Sequence, residues 1–468
     1  MEYNMYLYDI MTWVMPFSAI LIFCTGVYLT IYFNWINVRS FKFAIKEVIQ
    51  SNISPRGEGS ISHFQALTLA LSCTIGIMNI SGVAIIIAIG GPGSIFWMVL
   101  SGFFGMTTKF TEATLGQKYR KIYKKNDVYG GTMYTIYEAF KTESSWYHNK
   151  SRLCKNALPH IAKILAFIYA ATLLLTSILL GNVYQVAEFV SIISSKSIND
   201  FSNLLILSTL SIVTIFVVKN GVRKIAAVLS YLMPIALCSY VLLCAVVIFI
   251  NLDKLLNVIL IIMNDAFTFS SVIHGFLSCF LFGTTFGAFS NEAGLGTSSV
   301  AHANAISKEP VKQGLVALLE PFIDTLVICT LSAFVILLAY PDPRSLPYVG
   351  VLLTKSSITQ FLPWVGPIFD LIVTIFVLST ILSTFYYGER AWKFIFSRLP
   401  IVSHRMVYLF VFVIFIFVGN LFNLIDLLML LNILIPLLVI PNLFMILNLK
   451  REIKIDLKAF LLDEKVIN

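Results

Sequence analysis

Uncharged apolar stretches of about 20 residues recur from one end of this chain to the other, separated by short polar connections. A stretch of that length crosses the hydrocarbon core as helix, because a helix satisfies its own backbone N–H and C=O groups where no water can. Hydrophobic residues make up 58% of the 468, and charged ones only 12%. Soluble domains carry roughly 25% charged residues to wet their surface. Lipid must therefore replace water around most of this chain, and a polytopic membrane protein follows.

The formal charge of +9 does not mark a nucleic-acid binder. The basic residues sit in short runs between apolar spans, as at Lys118, Arg120, Lys121, Lys124 and Lys125, which is the distribution the positive-inside rule produces. The seven cysteines are odd in number and lack a CxxC pairing. Most lie inside apolar runs and read as packing residues, with neither a disulfide framework nor a metal site indicated. The first run, 10–33, has no basic residue before it and Arg39 after it. It is therefore not a signal peptide, and the N-terminus is expected outside.

We count about eleven spans by the length criterion: 10–33, 66–89, 94–118, 161–190, 204–218, 225–250, 272–291, 312–339, 366–388, 405–421 and 424–447. Every second loop is basic, from Arg39, Lys42, Lys46 and Arg56 through Lys118–Lys155, Lys219–Lys224, Lys308–Lys312 and Arg390–Arg405 to Lys450–Lys454. That alternation places the N-terminus outside and the C-terminus in the cytoplasm. The longest hydrophilic piece, about 119–160, is expected to form short cytoplasmic helices. The amphipathic stretch Leu252–Met263 is expected along the outer interface.

Two spans look interrupted. The second carries Ser72, Thr74, Gly76, Asn79 and Gly82, and the seventh carries Gly283, Thr284, Thr285, Gly287, Ser290 and Asn291. Glycine lowers helix stability by about 1 kcal/mol, and small polar side chains offer the backbone other partners. A broken membrane helix is tolerated only where the freed groups face protein or a polar cavity. There a half-helix N-terminus can hold a carboxylate and free carbonyls a cation. The bland alternative is that these glycines only let helices pack closely. The two breaks open blocks of five spans with opposite orientation, 66–250 and 251–449, after a peripheral segment 1–65 and before a tail 450–468. That is the arrangement of many secondary transporters.

At these residues the chain resembles the alanine or glycine:cation symporters. The matching stretches are Gly90–Gly105, Lys109–Ala113, Gly181–Gln185, Phe289–Gly296, Ala301–Ala303, Phe322–Thr325 and Tyr386–Glu389, in family order. The resemblance implies an all-α, LeuT-like five-plus-five inverted repeat with a peripheral first helix, in the cell inner membrane. It implies sodium-coupled symport of alanine, glycine or a similar small neutral amino acid by alternating access. No cofactor is implied beyond the coupling ion, nor any partner beyond amino acid, sodium and lipid. It places substrate against Gly76, Met78, Asn79, Gln185, Gly283, Thr284 and Phe286, with the amino group near Gln185 and the carbonyls of Gly283 to Phe286. It places the cation against Thr74, Ser379, Thr380 and Ser383.

Three departures stand out within that resemblance. Met78 replaces a glycine and would fill space or restore helix. Thr285-Phe286 replaces a basic pair and removes charge. Thr384 replaces a tryptophan and opens room. A proton-coupled or altered-substrate permease and a non-transporting amino-acid sensor are the alternatives. An enzyme would need a polar His, Asp and Arg cluster at one membrane face, and the sequence offers none.

Charged residues inside apolar spans default to functional candidates, since each costs about 3 kcal/mol at mid-helix. Lys109 and Glu112 are three apart and are expected to pair on one helix face. Asp324 is open between coupling and structural pairing, and Glu292 between capping and gating. Asp370 and Asp426 read as interfacial.

Overall fold

The computed structural model describes residues 2–51, 57–123, 127–141, 152–194, 200–268, 276–342, 350–397, 404–419 and 424–467. The loop residues Arg56, Lys124, Lys125, Lys150 and Arg398 lie outside them. α1 (Glu2–Tyr32) leads through a short α2 (Phe41–Ser51) to the bent pair α3 (His63–Thr74) and α4 (Met78–Gly90), followed by α5 (Ser94–Lys118). A capping box starts α3: Gln65 N donates to Ser62 Oγ, and Ser62 N donates to Gln65 Oε1.

The hydrophilic stretch differs from its expectation. Among its described residues it forms, besides the helix α6 (Thr132–Ala139) and the start of the helix at Arg152, an antiparallel ribbon of β1 (Lys121–Tyr123) and β2 (Asp127–Tyr129). Tyr123, Tyr129 and Tyr134 stack edge-on there, as suits a β-ribbon. Asp127 faces the Arg390 guanidinium at 3.0 Å; burial pushes its carboxyl up, but Arg390, Lys393 and the hydrogen bonds from Arg390 and Tyr129 together hold it below the ordinary value.

α7 (Arg152–Ile178) passes through a π-helical turn, Leu179–Tyr184, into α8 (Gln185–Ser194). Next come α9 (Asp200–Val218), α10 (Val222–Ile250) and α11 (Leu252–Ala266), which buries Val258, Ile262 and Ala266 on one face as the amphipathic pattern requires. α12 (Phe276–Ser290) ends in an unwound segment closed by one helical turn, Ser299–His302. α13 (Pro310–Ala317) continues through a second π-helical stretch, Phe322–Cys329, into α14 (Thr330–Ala339). The chain finishes with α15 (Val351–Phe361), α16 (Gly366–Ile395), α17 (His404–Val418) and α18 (Leu424–Ile467).

Among the described residues, five helices are long and apolar enough to cross a membrane, and the α3–α4 pair, bent by 42°, makes a sixth span. Phe410, Phe216 and Phe249 are 70, 71 and 75% exposed. Such side chains are stable on the outside only when the surroundings are hydrocarbon, so this is a multi-pass membrane protein.

One interruption lies elsewhere than expected. α12 runs unbroken through Gly283 and Gly287. A Cβ at Gly287 would stand 2.8 Å from Met98 O and 2.9 Å from Ser101 Cβ, and one at Gly283 would collide with Ser94 O. These glycines let α12 lie directly on α5, the packing role of small residues in membranes. Gly287→Val should therefore push the two helices apart at a cost of about 1–3 kcal/mol. Thermal melts followed by size-exclusion chromatography in detergent should show an earlier loss of the monodisperse peak.

Candidate substrate and cation site

The bend between α3 and α4 occupies Ile75–Ile77. Ile75 is extended, with ψ 93°. The Gly76 amide donates to Asn79 Oδ1 (3.2 Å) and the Ile77 amide to Gln185 Oε1 (3.3 Å), while Asn79 N donates to Gly76 O (3.3 Å). In an α-helix those amides would have closed on Ser72, Cys73 and Ile75, whose carbonyls are thereby released from helical pairing. Gly76 lets Thr380 and Gln185 approach closely, since a Cβ would stand 2.8 Å from Thr380 Oγ1 and 3.1 Å from Gln185 Nε2 and displace those side chains. The hydroxyls of Ser379, Thr380 and Ser383 donate to α16 carbonyls at 2.9–3.0 Å, which leaves their lone pairs for another partner.

Asn79 also turns away from the bend. Its Nδ2 donates to Asp324 Oδ2 (2.6 Å) and Ser290 Oγ (3.0 Å). Ser290 and Thr325 donate to Asp324 Oδ1 at 2.6 and 2.9 Å. Asp324 is fully buried and has no ion-pair partner among the described residues. It sits in the second π-helical stretch, and Gln185 immediately follows the first. An inserted residue in a helix re-aims one side chain, and both insertions here aim polar groups at the bend. No sequence periodicity predicts them.

The break of the seventh span falls at Asn291–Ser298. Glu292, Gly294 and Gly296 adopt positive φ of 54°, 93° and 77°. The Gly294 and Gly296 amides converge on Glu112 Oε1 at 2.8 and 3.2 Å, joined by Asn442 Nδ2 at 2.7 Å. Two alternate amides, each on a residue in left-handed backbone, thus form a concave anion site of the nest kind, and Glu112 fills it. The expected Lys109–Glu112 pair is therefore replaced. Lys109 pairs with Glu320 at 3.2 Å, and Glu320 also meets His302, which meets Gln313, which meets His63. Sequence reasoning passed over Glu320. Its signal was a carboxylate in an apolar span eighteen residues after His302. Asp370 pairs with Lys355 at 2.5 Å.

A cavity of about 280 Å³ opens beside both breaks. Of the expected site residues it is lined by Thr74, Met78, Gln185, Phe286 and Thr380. Asn79, Gly283, Thr284, Ser379 and Ser383 lie behind its wall, and Gly76 borders it through Thr380 and Gln185. The carbonyls of Gly283 to Phe286 belong to the interior of α12, which packs on α5, and Thr284 O accepts from Ser101 Oγ at 3.3 Å. Met78 starts α4, restoring helix as its side chain type favours. Met78 and Thr384 share the cavity wall. Thr384 donates to Thr380 O (2.6 Å) and Gly181 O (3.1 Å).

A sequence model of the sodium:alanine symporter family matches residues 3–466. The sodium/alanine symporter AgcS of Methanococcus maripaludis is 31% identical over 401 residues, 85% of this chain and 84% of its own length. The probable sodium/glutamine symporter GlnT of Bacillus subtilis is 31% identical over 377 residues, 79% and 73% of the two chains. The solved structure of MhsT in complex with L-phenylalanine superposes with a TM-score of 0.57 over 82% of this chain and 89% of that one, at 14% identity, which is a likeness of fold.

Removing the Asp324 carboxylate leaves the Asn79 amide and two hydroxyls without their acceptor, each loss costing about 1–3 kcal/mol. Asp324→Ala should therefore melt several degrees below wild type in detergent, with Asp324→Asn between the two. Equal melting temperatures would separate Asp324 from the support of the bend.

Proposed function

The chain belongs to the sodium:alanine symporter family, and we propose that it carries a small neutral amino acid together with sodium by alternating access. It is a transporter and not an enzyme, as the family is. The observation that carries the reading is the bend at Ile75–Ile77, which frees carbonyls from helical pairing and gives the Gly76 and Ile77 amides to Asn79 and Gln185 beside a cavity of about 280 Å³. A zwitterion needs both polarities within a few ångströms, and a broken helix supplies both.

In this reading the substrate carboxylate takes the Gly76 and Ile77 amides, displacing Asn79 Oδ1 and Gln185 Oε1, and Gln185 turns to the substrate amino group. Phe286 and Met78 pack against the substrate from the wall. A coupling sodium sits between the released carbonyls near Thr74 and the hydroxyls of Ser379, Thr380 and Ser383. Asp324, with Asn79, Ser290 and Thr325 around it, is the second oxygen cluster able to take a cation. Eleven spans, with 66–250 and 251–449 as opposed repeats after 1–65 and before the tail 450–468, fit the basic loops. So does an N-terminus outside and a C-terminus in the cytoplasm of a cell whose inner membrane holds the protein.

The apolar character of the cavity favours a second reading of the substrate, in which a larger neutral amino acid is carried. Ile86, Leu180, Phe286 and Phe289 line it, and Thr384 packs tightly against Gly181 on its wall. GlnT, named as a probable sodium/glutamine symporter, has the same identity to this chain as AgcS, over a shorter stretch.

Proteoliposomes given an inward sodium gradient should accumulate labelled alanine, glycine or serine, and in the second reading glutamine or phenylalanine instead. Asn79→Ala and Gln185→Ala should each lower the initial rate per folded molecule about tenfold or more, the effect of losing one hydrogen bond of about 1.4 kcal/mol, with Asn79→Ala also less stable, so rates are normalised to folded protein in the membrane. Wild-type rates in both variants would sink the placement of the site.

A further inference from the structure

Cations crowd the turn that joins α9 to α10. Lys219, Arg223 and Lys224 are exposed there, and none forms an ion pair with a carboxylate among the described residues. Gly221, within the turn, has a φ of 84°, and a Cβ on it would stand 3.0 Å from Arg405 Nη1, so the guanidinium at the start of α17 lies over the turn. Arg405 gives Nε and Nη2 to Glu389 at 2.9 and 3.1 Å and keeps Nη1 toward Gly221. Glu389 is already shared, since Lys393 reaches its Oε1 at 2.8 Å. Among the described residues, five cations thus meet one carboxylate, and neighbouring like charges repel unless an anion joins them.

The place of the turn decides which anion fits. On α9 the exposed side chains Leu205, Ile212 and Phe216 form one stripe at helical spacing, and Lys219 is its next member. On α10 the stripe Tyr231, Ile235 and Leu242 runs back in the same way to Lys224. Phe216 and Tyr231 are 71 and 73% exposed, which places both stripes against hydrocarbon. Lys219 and Lys224 therefore stand where two acyl-facing stripes end, at the level of the headgroups, with their alkyl stems along the apolar surface and their charges above it. A free anion would meet the cations and gain nothing from the stripes. A molecule with an anionic head and apolar tails meets both.

We propose that the α9–α10 turn is a docking site for an acidic phospholipid. The headgroup phosphate lies among Lys219, Arg223, Lys224 and the Nη1 of Arg405, and the acyl chains run along the exposed stripes of α9 and α10. A phosphate diester brings the negative charge that Glu389 alone does not supply, and a guanidinium and ammonium groups are the side chains that bind phosphate best. By the topology given above, the leaflet is the cytoplasmic one. The site itself rests neither on that orientation nor on the transporter reading.

Native mass spectrometry of the purified full chain in detergent tests the site, with dioleoylphosphatidylglycerol and dioleoylphosphatidylcholine titrated in turn. The two lipids share their acyl chains and differ in headgroup charge. Wild type should retain the first phosphatidylglycerol at about tenfold or more lower concentration than phosphatidylcholine, since each base near an anionic surface is worth about fivefold in affinity. The combined variant Lys219→Gln, Arg223→Gln and Lys224→Gln should lose that first adduct while keeping a monodisperse peak, and Lys219→Arg with Lys224→Arg should retain it. Equal retention of the two lipids by wild type, or an unchanged first adduct in the folded triple variant, overturns the proposal. Displacement of the lipid by inorganic phosphate at equal concentration also overturns it, because the turn would then be a site for free anions.

Discussion

The architecture depends on how Asn79 satisfies the backbone at the bend between α3 and α4. In hydrocarbon an unsatisfied backbone group costs several kcal/mol, so a membrane helix stays broken only if other atoms replace its lost partners. Asn79 does this from one side, accepting the Gly76 amide through Oδ1, while its Nδ2 ties the bend to Ser290 and Asp324. Gln185 does it from the other side, accepting the Ile77 amide. The bend is thereby a junction of four elements: the α3–α4 pair, the end of α12, the second π-helical stretch and the start of α8. Any ligand that takes those amides must compete with both side chains, which links binding to the arrangement of all four.

The second break is stabilised by the opposite chemistry. Where the first lends its amides to neutral amides, the Asn291–Ser298 segment folds its amides around the Glu112 carboxylate. Charge-assisted hydrogen bonds are about twice as strong as neutral ones, which suits a segment that must hold three residues at positive φ. The two breaks therefore differ in stiffness. The neutral one offers exchangeable partners to a ligand, and the anion-filled one fixes the position of Glu292 at the cavity wall.

Beyond the sites, one strap ties the two broken elements together. Arg120 donates to the carbonyls of Glu58, Ala303, Ala305 and Ser307 at 2.6–3.2 Å, and bridges pair Glu58 with Ser307 and Ile61 with Ala305. The approach to α3 and the loop after His302 are thus held as one piece. Any relative movement of helical blocks has to act on this contact, because it joins the approach to the first broken span to the loop after the second.

The sequence by itself determined the membrane class, the predominantly helical build and the bend at Gly76, because charge content, apolar length and helix-weakening residues act locally. Motifs also pointed to Gln185, Asn79 and the FSNEAG stretch. It misplaced the seventh-span break, since a glycine that loosens a helix and one that admits a neighbour look alike until the neighbour is present. Gly283 and Gly287 proved to be contacts with α5, and the left-handed Gly294 and Gly296 carry the break. It also paired Lys109 with Glu112 by their spacing. Only the tertiary structure sent Lys109 to Glu320 and Glu112 to the nest, and only there did the two π-helical insertions turn Gln185 and Asp324 inward. Partners of buried polar groups are chosen across helices by whichever arrangement leaves fewest of them unsatisfied, and that choice is not written in the spacing along any single helix.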